Sequence, residues 1–153
     1  MNLCALLLVL SPLQTDGGQW IELSNEKDLS EWSGDERFWR VEEGVIIGES
    51  TKELPCETTT YLIREGVTAQ DFELECMYRI TGGNSGVQFR TQRNGESVRG
   101  YQADLEDGPN WTGCLYEQDG RGVMVRRGER ARFAPDNKKE ITGSTGEAEA
   151  LLA

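Results

Sequence analysis

From Asp71 to Ile80 the side chains fall into two phases, with Phe72, Leu74, Cys76, Tyr78 and Ile80 in one and Asp71, Glu73, Glu75, Met77 and Arg79 in the other. A period of two marks a strand with one face toward a core. Gly82-Gly83-Asn84-Ser85-Gly86 then supplies a turn, and Val87-Gln88-Phe89-Arg90 alternates again, so the two runs read as the arms of a hairpin. Gly100 to Leu105 repeats the pattern, with Tyr101, Ala103 and Leu105 on one side and Gln102 and Asp104 on the other. Cys114 to Glu117 and Gly122 to Arg126 read as further strands, and the first leaves open whether Tyr116 or Glu117 shares the outward side. Nearer the start, Trp20 to Leu23 is a first strand, Asn25 to Asp28 a turn, and Phe38 to Val41 with Val45 to Gly48 a hairpin around Glu43-Gly44, a pair with suitable turn chemistry.

The two ends differ from this pattern. The apolar run Leu3 to Leu10, broken by Ser11-Pro12 and followed by polar residues, is too short to span a bilayer and has the form of an export leader. Residues 1–17 are therefore read as a signal peptide and 18–153 as one domain; the plain alternative is an apolar N-terminal strand on the sheet. At the other end Ser144-Thr145-Gly146-Glu147 has the spacing of a capping box ahead of Ala148 to Ala153, which predicts a short C-terminal helix.

Composition narrows the class. Eighteen glycines against four prolines, with β-branched and aromatic residues spread between them, favour an all-β chain of short strands. A net charge of -11, from 27 acidic and 16 basic residues, repels a polyanion, so nucleic acid is not an expected partner. The absence of histidine excludes a Ser-His-Asp triad, a Cys-His pair and histidine-bound zinc within this chain. Cys4, Cys56, Cys76 and Cys114 include no close pair, which argues against a zinc site and a disulfide framework.

Carboxylates are left as the acid and base groups. If the strands at 71–80, 87–90 and 100–105 lie side by side, their outward residues gather Glu73, Glu75, Arg79, Gln88, Arg90, Gln102 and Asp104 on one face. Such groups supply the directional hydrogen bonds a polyol needs. Trp111, beside the turn-rich Asp107-Gly108-Pro109-Asn110, is a candidate to stack on a sugar ring, whereas Trp32 and Trp39 read as core. The plain alternative for the face is a solvated sheet surface. No spacing marks a Ca²⁺ loop, so no metal is assigned, and cofactors and protein partners are left unassigned.

Several segments in order carry a resemblance: Asn25-x-Lys27-Asp28-Leu29-x-x-Trp32, Trp39-x-Val41-x-x-Gly44-Val45-Ile46-x-Gly48, Asp71-Phe72-Glu73-Leu74, Gly83-Asn84-Ser85-Gly86-Val87-Gln88-Phe89-Arg90, Gly100-Tyr101-Gln102-Ala103-Asp104 and Gly113-x-Leu115-Tyr116-Glu117. Over roughly residues 19–127 the chain resembles the 3-keto-disaccharide hydrolase domain family. The resemblance implies a concanavalin-like jelly-roll β-sandwich. Later strands of the family pattern find no match, so the sandwich is expected to be incomplete at its C-terminal side. Gly100 stands where the commoner family pattern has Glu.

The function implied is an exported (periplasmic, cell-surface or extracellular) enzyme acting on a small-molecule or oligosaccharide substrate, a 3-keto-glycoside, by hydrolysis or elimination. A non-catalytic sugar-binding module is the alternative. Asp104 or Glu117 is expected to be the acid or base. Gln88, Arg90, Gln102, Trp111, Tyr116 and Arg121 are expected to hold the substrate, Arg121 because the likeness includes Gly120-Arg121-Gly122.

Overall fold

Alternating apolar residues and turn-forming glycines become strands throughout the computed structural model, which describes residues 4–14, 20–95 and 97–152. Among the described residues there is no helix, and no sheet closes on itself. The chain divides into two units, Met1–Thr81 and Gly82–Ala153.

In the first unit β1 (Cys4–Gln14), β2 (Trp20–Ile21), β4 (Trp39–Glu42), β5 (Val45–Ser50) and β7 (Glu73–Thr81) share a sheet, and β3 (Trp32–Ser33) pairs with β6 (Ile63–Arg64). Strand β1 pairs antiparallel with both β5 and β7, at Leu6↔Gly48 and Leu6↔Ile80. The apolar run read as an export leader thus lies largely in β1; residues 1–3 and 15–17 of that segment lie outside the described residues. The expected hairpin of β4 and β5 forms, with Glu43 at φ 52° and Gly44 at φ 80°. Two successive left-handed residues make the turn whose twist matches that of the strands. Trp39 lies opposite Gly48, where any Cβ would run into the indole ring. Consecutive Ile46 and Ile47 are both buried, so both faces of β5 are covered, and Leu23 and Phe38 are buried apolar residues of the same unit.

The Asn25 to Trp32 segment folds through its own side chains. Asn25 Oδ1 accepts from the N–H groups of Lys27 and Asp28 at 2.9 and 3.0 Å, and Asp28 Oδ1 accepts from Ser30 N–H at 2.9 Å. These Asx turns hold the Asp28 carboxyl down at about 2, through bonds from Ser30 and Asn25.

The second unit carries the sheet β11-β10-β9-β8, made of β8 (Asn84–Asn94), β9 (Ser97–Glu106), β10 (Leu115–Gln118) and β11 (Gly122–Val125), and a hairpin of β12 (Glu129–Phe133) with β13 (Lys139–Ser144). Val98, Leu105, Cys114 and Met124 form its buried apolar set.

Three expectations are corrected. The strands at 71–80 and 87–90 do not form a hairpin: β7 pairs with β1 and β8 with β9. Gly82 N–H donates to Asp107 Oδ2 at 2.6 Å and Asp107 N–H to Gly83 O at 3.1 Å; the glycines therefore extend the β8–β9 ladder instead of folding back on β7. The C-terminal helix is absent. Ser144 ends β13 and its hydroxyl engages Gly146, while residues 148–151 form only a turn, and Ala153 lies outside the described residues. Finally, Tyr78, expected inward, is 43% exposed.

Candidate active site

Antiparallel partners point to the same side of a sheet and successive residues alternate. The register Gln88↔Gln102 on β8–β9 and Gln102↔Tyr116 on β9–β10 therefore sets Gln88, Gln102 and Tyr116 in one row across three strands. Asp104, opposite Gly86, stands on the same face, two residues along β9. The adjacent row, Phe89↔Tyr101↔Glu117, belongs to the other face. The choice left open between Tyr116 and Glu117 is thereby decided: Tyr116 joins Gln102 and Asp104.

The polar face is not a solvated one. Asp104 is 6% exposed and Cys114, beside it on the ladder, 2%. Glu73, Glu75 and Arg79 belong to β7, which pairs with β1 and not with β8, so they are not part of the row that this sheet's register sets. Gln102 Nε2 donates to Asp104 Oδ1 at 2.6 Å and Gln88 Nε2 donates to Gln102 Oε1 at 3.0 Å. Burial pushes the Asp104 carboxyl above the ordinary aspartate range; the bond from Gln102 opposes the rise and the Glu106 carboxylate adds to it. Asp104 is thus a buried carboxyl that keeps its proton to higher pH than a surface aspartate.

Glu117 has the opposite surroundings. Its carboxylate pairs with the Arg121 guanidinium and accepts the Arg121 backbone N–H at 3.0 Å. The Arg121 side chain, then its backbone, hold Glu117 below the ordinary glutamate range. Arg121 also reaches Tyr101 Oη at 3.3 Å and lies over the Phe133 ring at 4.9 Å. Both groups are engaged with each other, on the side away from Asp104.

Arg90 sits where the β8–β9 ladder slips. Phe89 faces Tyr101 and Gln92 faces Arg99, so Arg90 and Thr91 together oppose Gly100. This is a β-bulge, and Arg90 takes a left-handed φ of 51°, a conformation costing a non-glycine residue about 1 kcal/mol. It also accounts for Gly100: a Cβ there would lie 2.5 Å from Thr91 Cγ2 and 2.7 Å from Thr91 Cα.

Trp111 lies on a loop fastened from two sides. Glu106 Oε2 accepts from the N–H groups of Asn110 and Trp111 at 2.9 and 3.0 Å. Arg127 donates to the carbonyls of Thr112 and, at 2.6 Å, Pro109. The Arg126 guanidinium lies 5.3 Å from the Trp111 ring centre, in cation–π range, so one side of the proposed sugar platform already has a cation near it. Glu106 was not among the expected site residues; its signal is the run of turn residues after it, whose N–H groups need an acceptor. Among the described residues no three His, Cys, Asp or Glu side chains are gathered to hold a metal ion, and no helix is long and apolar enough to cross a membrane.

Comparison with known proteins matches one family model, described as a 3-keto-alpha-glucoside-1,2-lyase-like domain, over residues 19–145. The match extends beyond the motif resemblance, through β12 and β13. No curated protein and no solved structure matches the chain. With most of its length covered by that match, the chain belongs to the 3-keto-alpha-glucoside-1,2-lyase-like domain family.

Proposed function

We propose that the chain is an exported enzyme that cleaves 3-keto-glycosides, with Asp104 as the group that moves the proton. The family is carbohydrate-active, and the observation that carries the assignment is the buried Asp104 carboxyl at the end of an amide chain on the polar face. A carboxyl whose proton affinity is raised by burial is suited to proton transfer near neutrality. A carboxylate already paired with arginine, as Glu117 is, is not.

Elimination suits a site with one such group. The ketone at C3 acidifies the proton on C2; Asp104 takes that proton, the electron pair forms a C1–C2 double bond conjugated with the ketone, and the C1–O bond breaks. The proton taken by Asp104 then neutralises the departing alkoxide, and addition of water to the enone completes net hydrolysis. Gln102 and Gln88 would orient the sugar, Tyr116 would border it in the same row, and Arg90 would stabilise the enolate oxygen. Arg121 and Glu117 serve in this reading as support for the sheet.

A sugar-binding module that does not cleave is the second reading, favoured by the engagement of Glu117 with Arg121, which leaves no second free carboxylate among the residues expected to catalyse. Incubation with a 3-keto-disaccharide separates the two: release of reducing sugar supports the enzyme, and saturable binding without release supports the module. We further propose that the open sheets form part of a concanavalin-like jelly-roll sandwich, which an experimental structure tests. Export requires residues 1–17 to leave, together with most of β1; a mature N-terminus still at Met1 in protein recovered outside the cytoplasm would sink that reading.

A further inference from the structure

The chain Gln88–Gln102–Asp104 has a direction, and the carboxylate sets it. In the ionised state that takes the C2 proton, the Asp104 carboxylate only accepts, so the Gln102 atom 2.6 Å from Asp104 Oδ1 is the amide nitrogen. Gln102 Oε1 then faces Gln88 and takes Gln88 Nε2 at 3.0 Å. What remains is Gln88 Oε1, buried and without a donor among the described residues. Buried acceptors without donors are few and costly. Turning the Gln88 amide over gives no relief, because it would set oxygen against oxygen at Gln102. Gly86 protects the arrangement: a Cβ there would lie 2.5 Å from Gln102 Cγ and 2.7 Å from its Cδ, and would push the amide off the chain.

We propose that Gln88 Oε1 is the acceptor for a hydroxyl of the bound sugar, and that Asp104, acting through Gln102, fixes Gln88 as acceptor and not donor. The proposal rests on the reading of a 3-keto-glycoside as ligand. It carries a specificity: a ketone oxygen at that place would face another acceptor, so Gln88 selects a hydroxyl-bearing carbon and turns the keto carbon elsewhere. Gln88 is thus a specificity-determining residue and Gln102 a positioning one.

The test is calorimetric titration of the full chain and its Gln88→Met variant with methyl 3-keto-α-glucoside and with analogues lacking one hydroxyl each. The variant is expected to bind the parent sugar roughly tenfold more weakly, while one analogue binds both proteins alike. Equal loss on every analogue, no loss on the parent sugar, or no binding of any sugar by the unaltered chain overturns the proposal. Gln102→Met, which leaves Gln88 in place but cuts it from Asp104, is expected to weaken parent binding by a few-fold; unaltered binding there overturns the proposal even if Gln88→Met does not fold. Cleavage of p-nitrophenyl 3-keto-α-glucoside is followed separately. Cleavage with no dependence on Gln88 removes this proposal and keeps the enzyme reading, whereas Gln88-dependent binding without cleavage does the reverse.

Discussion

Asp104 and Glu117 stand on opposite faces of one sheet, because Gln102 is paired with Tyr116 and Tyr101 with Glu117. Two carboxylates that cleave a glycoside directly must flank the same bond, and residues on opposite faces do not. The relationship separates the two acids chemically as well: burial raises the proton affinity of one above that of a surface aspartate, and pairing with a guanidinium lowers that of the other. The separation supports the one-base elimination proposed above over direct cleavage by this pair.

Substituting each acid in turn distinguishes their roles. Asp104→Asn is expected to lower kcat on a 3-keto-glycoside by about a hundredfold or more, the usual scale for a general acid or base. Glu117→Gln is expected to keep kcat within a few-fold and to lose about 1 kcal/mol of stability, the scale of a charge pair near the surface. Steady-state kinetics alongside urea denaturation checks both, and full activity in Asp104→Asn defeats the assignment.

The same two acids give opposite pH dependences of stability. Burial lets folded Asp104 keep its proton to higher pH than unfolded Asp104 does, so stability falls as the pH rises from the ordinary value of 3.8 through the raised one, and the penalty is complete above it. The Glu117 pair is complete above the ordinary glutamate value of 4.5 and is lost as the pH falls through the lowered one. Asp104→Asn is therefore expected to be more stable than the parent at neutral pH, with the gain closing below pH 3.8. Denaturation series across that range give the sign directly; a stability gain that grows on acidification contradicts the buried-carboxyl account.

Alternation made β8 and β9 legible as strands in the sequence, and the Glu43-Gly44 pair made the β4–β5 hairpin legible. Partner choice was not, because a glycine-rich segment at 82–86 serves equally as a hairpin turn or as the start of a ladder, and only the Gly82–Asp107 bond decides between them. The hairpin of β12 and β13 has no such signal, since every residue of β13 is exposed, which leaves no apolar period to detect. Gln88, Gln102 and Asp104 could be placed on one face by parity. Their burial could not, since a polar residue on a strand reads as outward unless its partners are known. The Glu106 support of the Trp111 loop is a contact between side chain and backbone, for which periodicity has no signal.

Gly100 offers a test of the bulge. Any Cβ at this position meets Thr91 Cα at 2.7 Å and the Arg90 carbonyl at 2.9 Å, and backbone cannot step aside as a flexible side chain can. Gly100→Ala is expected to cost about 1–3 kcal/mol, the range for overpacking, and Gly100→Glu no less. Thermal unfolding measures the loss. Deleting Thr91 in the Gly100→Ala background restores one-to-one pairing and should recover part of it; an unchanged melting temperature in Gly100→Ala would mean that the bulge exerts no pressure.

Arg127 provides the last test, because it fastens the Trp111 loop without touching the polar row. Its guanidinium donates to the carbonyls of Thr112 and Pro109, and its Nε to Ala148 at 2.8 Å. Lysine keeps the charge but lacks the planar fork needed for three such bonds at once. Arg127→Lys is expected to cost about 1–2 kcal/mol, since bonds to charged donors are each worth somewhat more than neutral ones. Hydrogen exchange should quicken at the Asn110 and Trp111 amides as the loop loosens. Because Asp104 keeps its own surroundings, kcat/KM falls while its dependence on pH keeps the same midpoint. A shifted midpoint would show instead that the loop sets the proton affinity of Asp104, and would move Arg127 from support of the loop into the chemistry of the site.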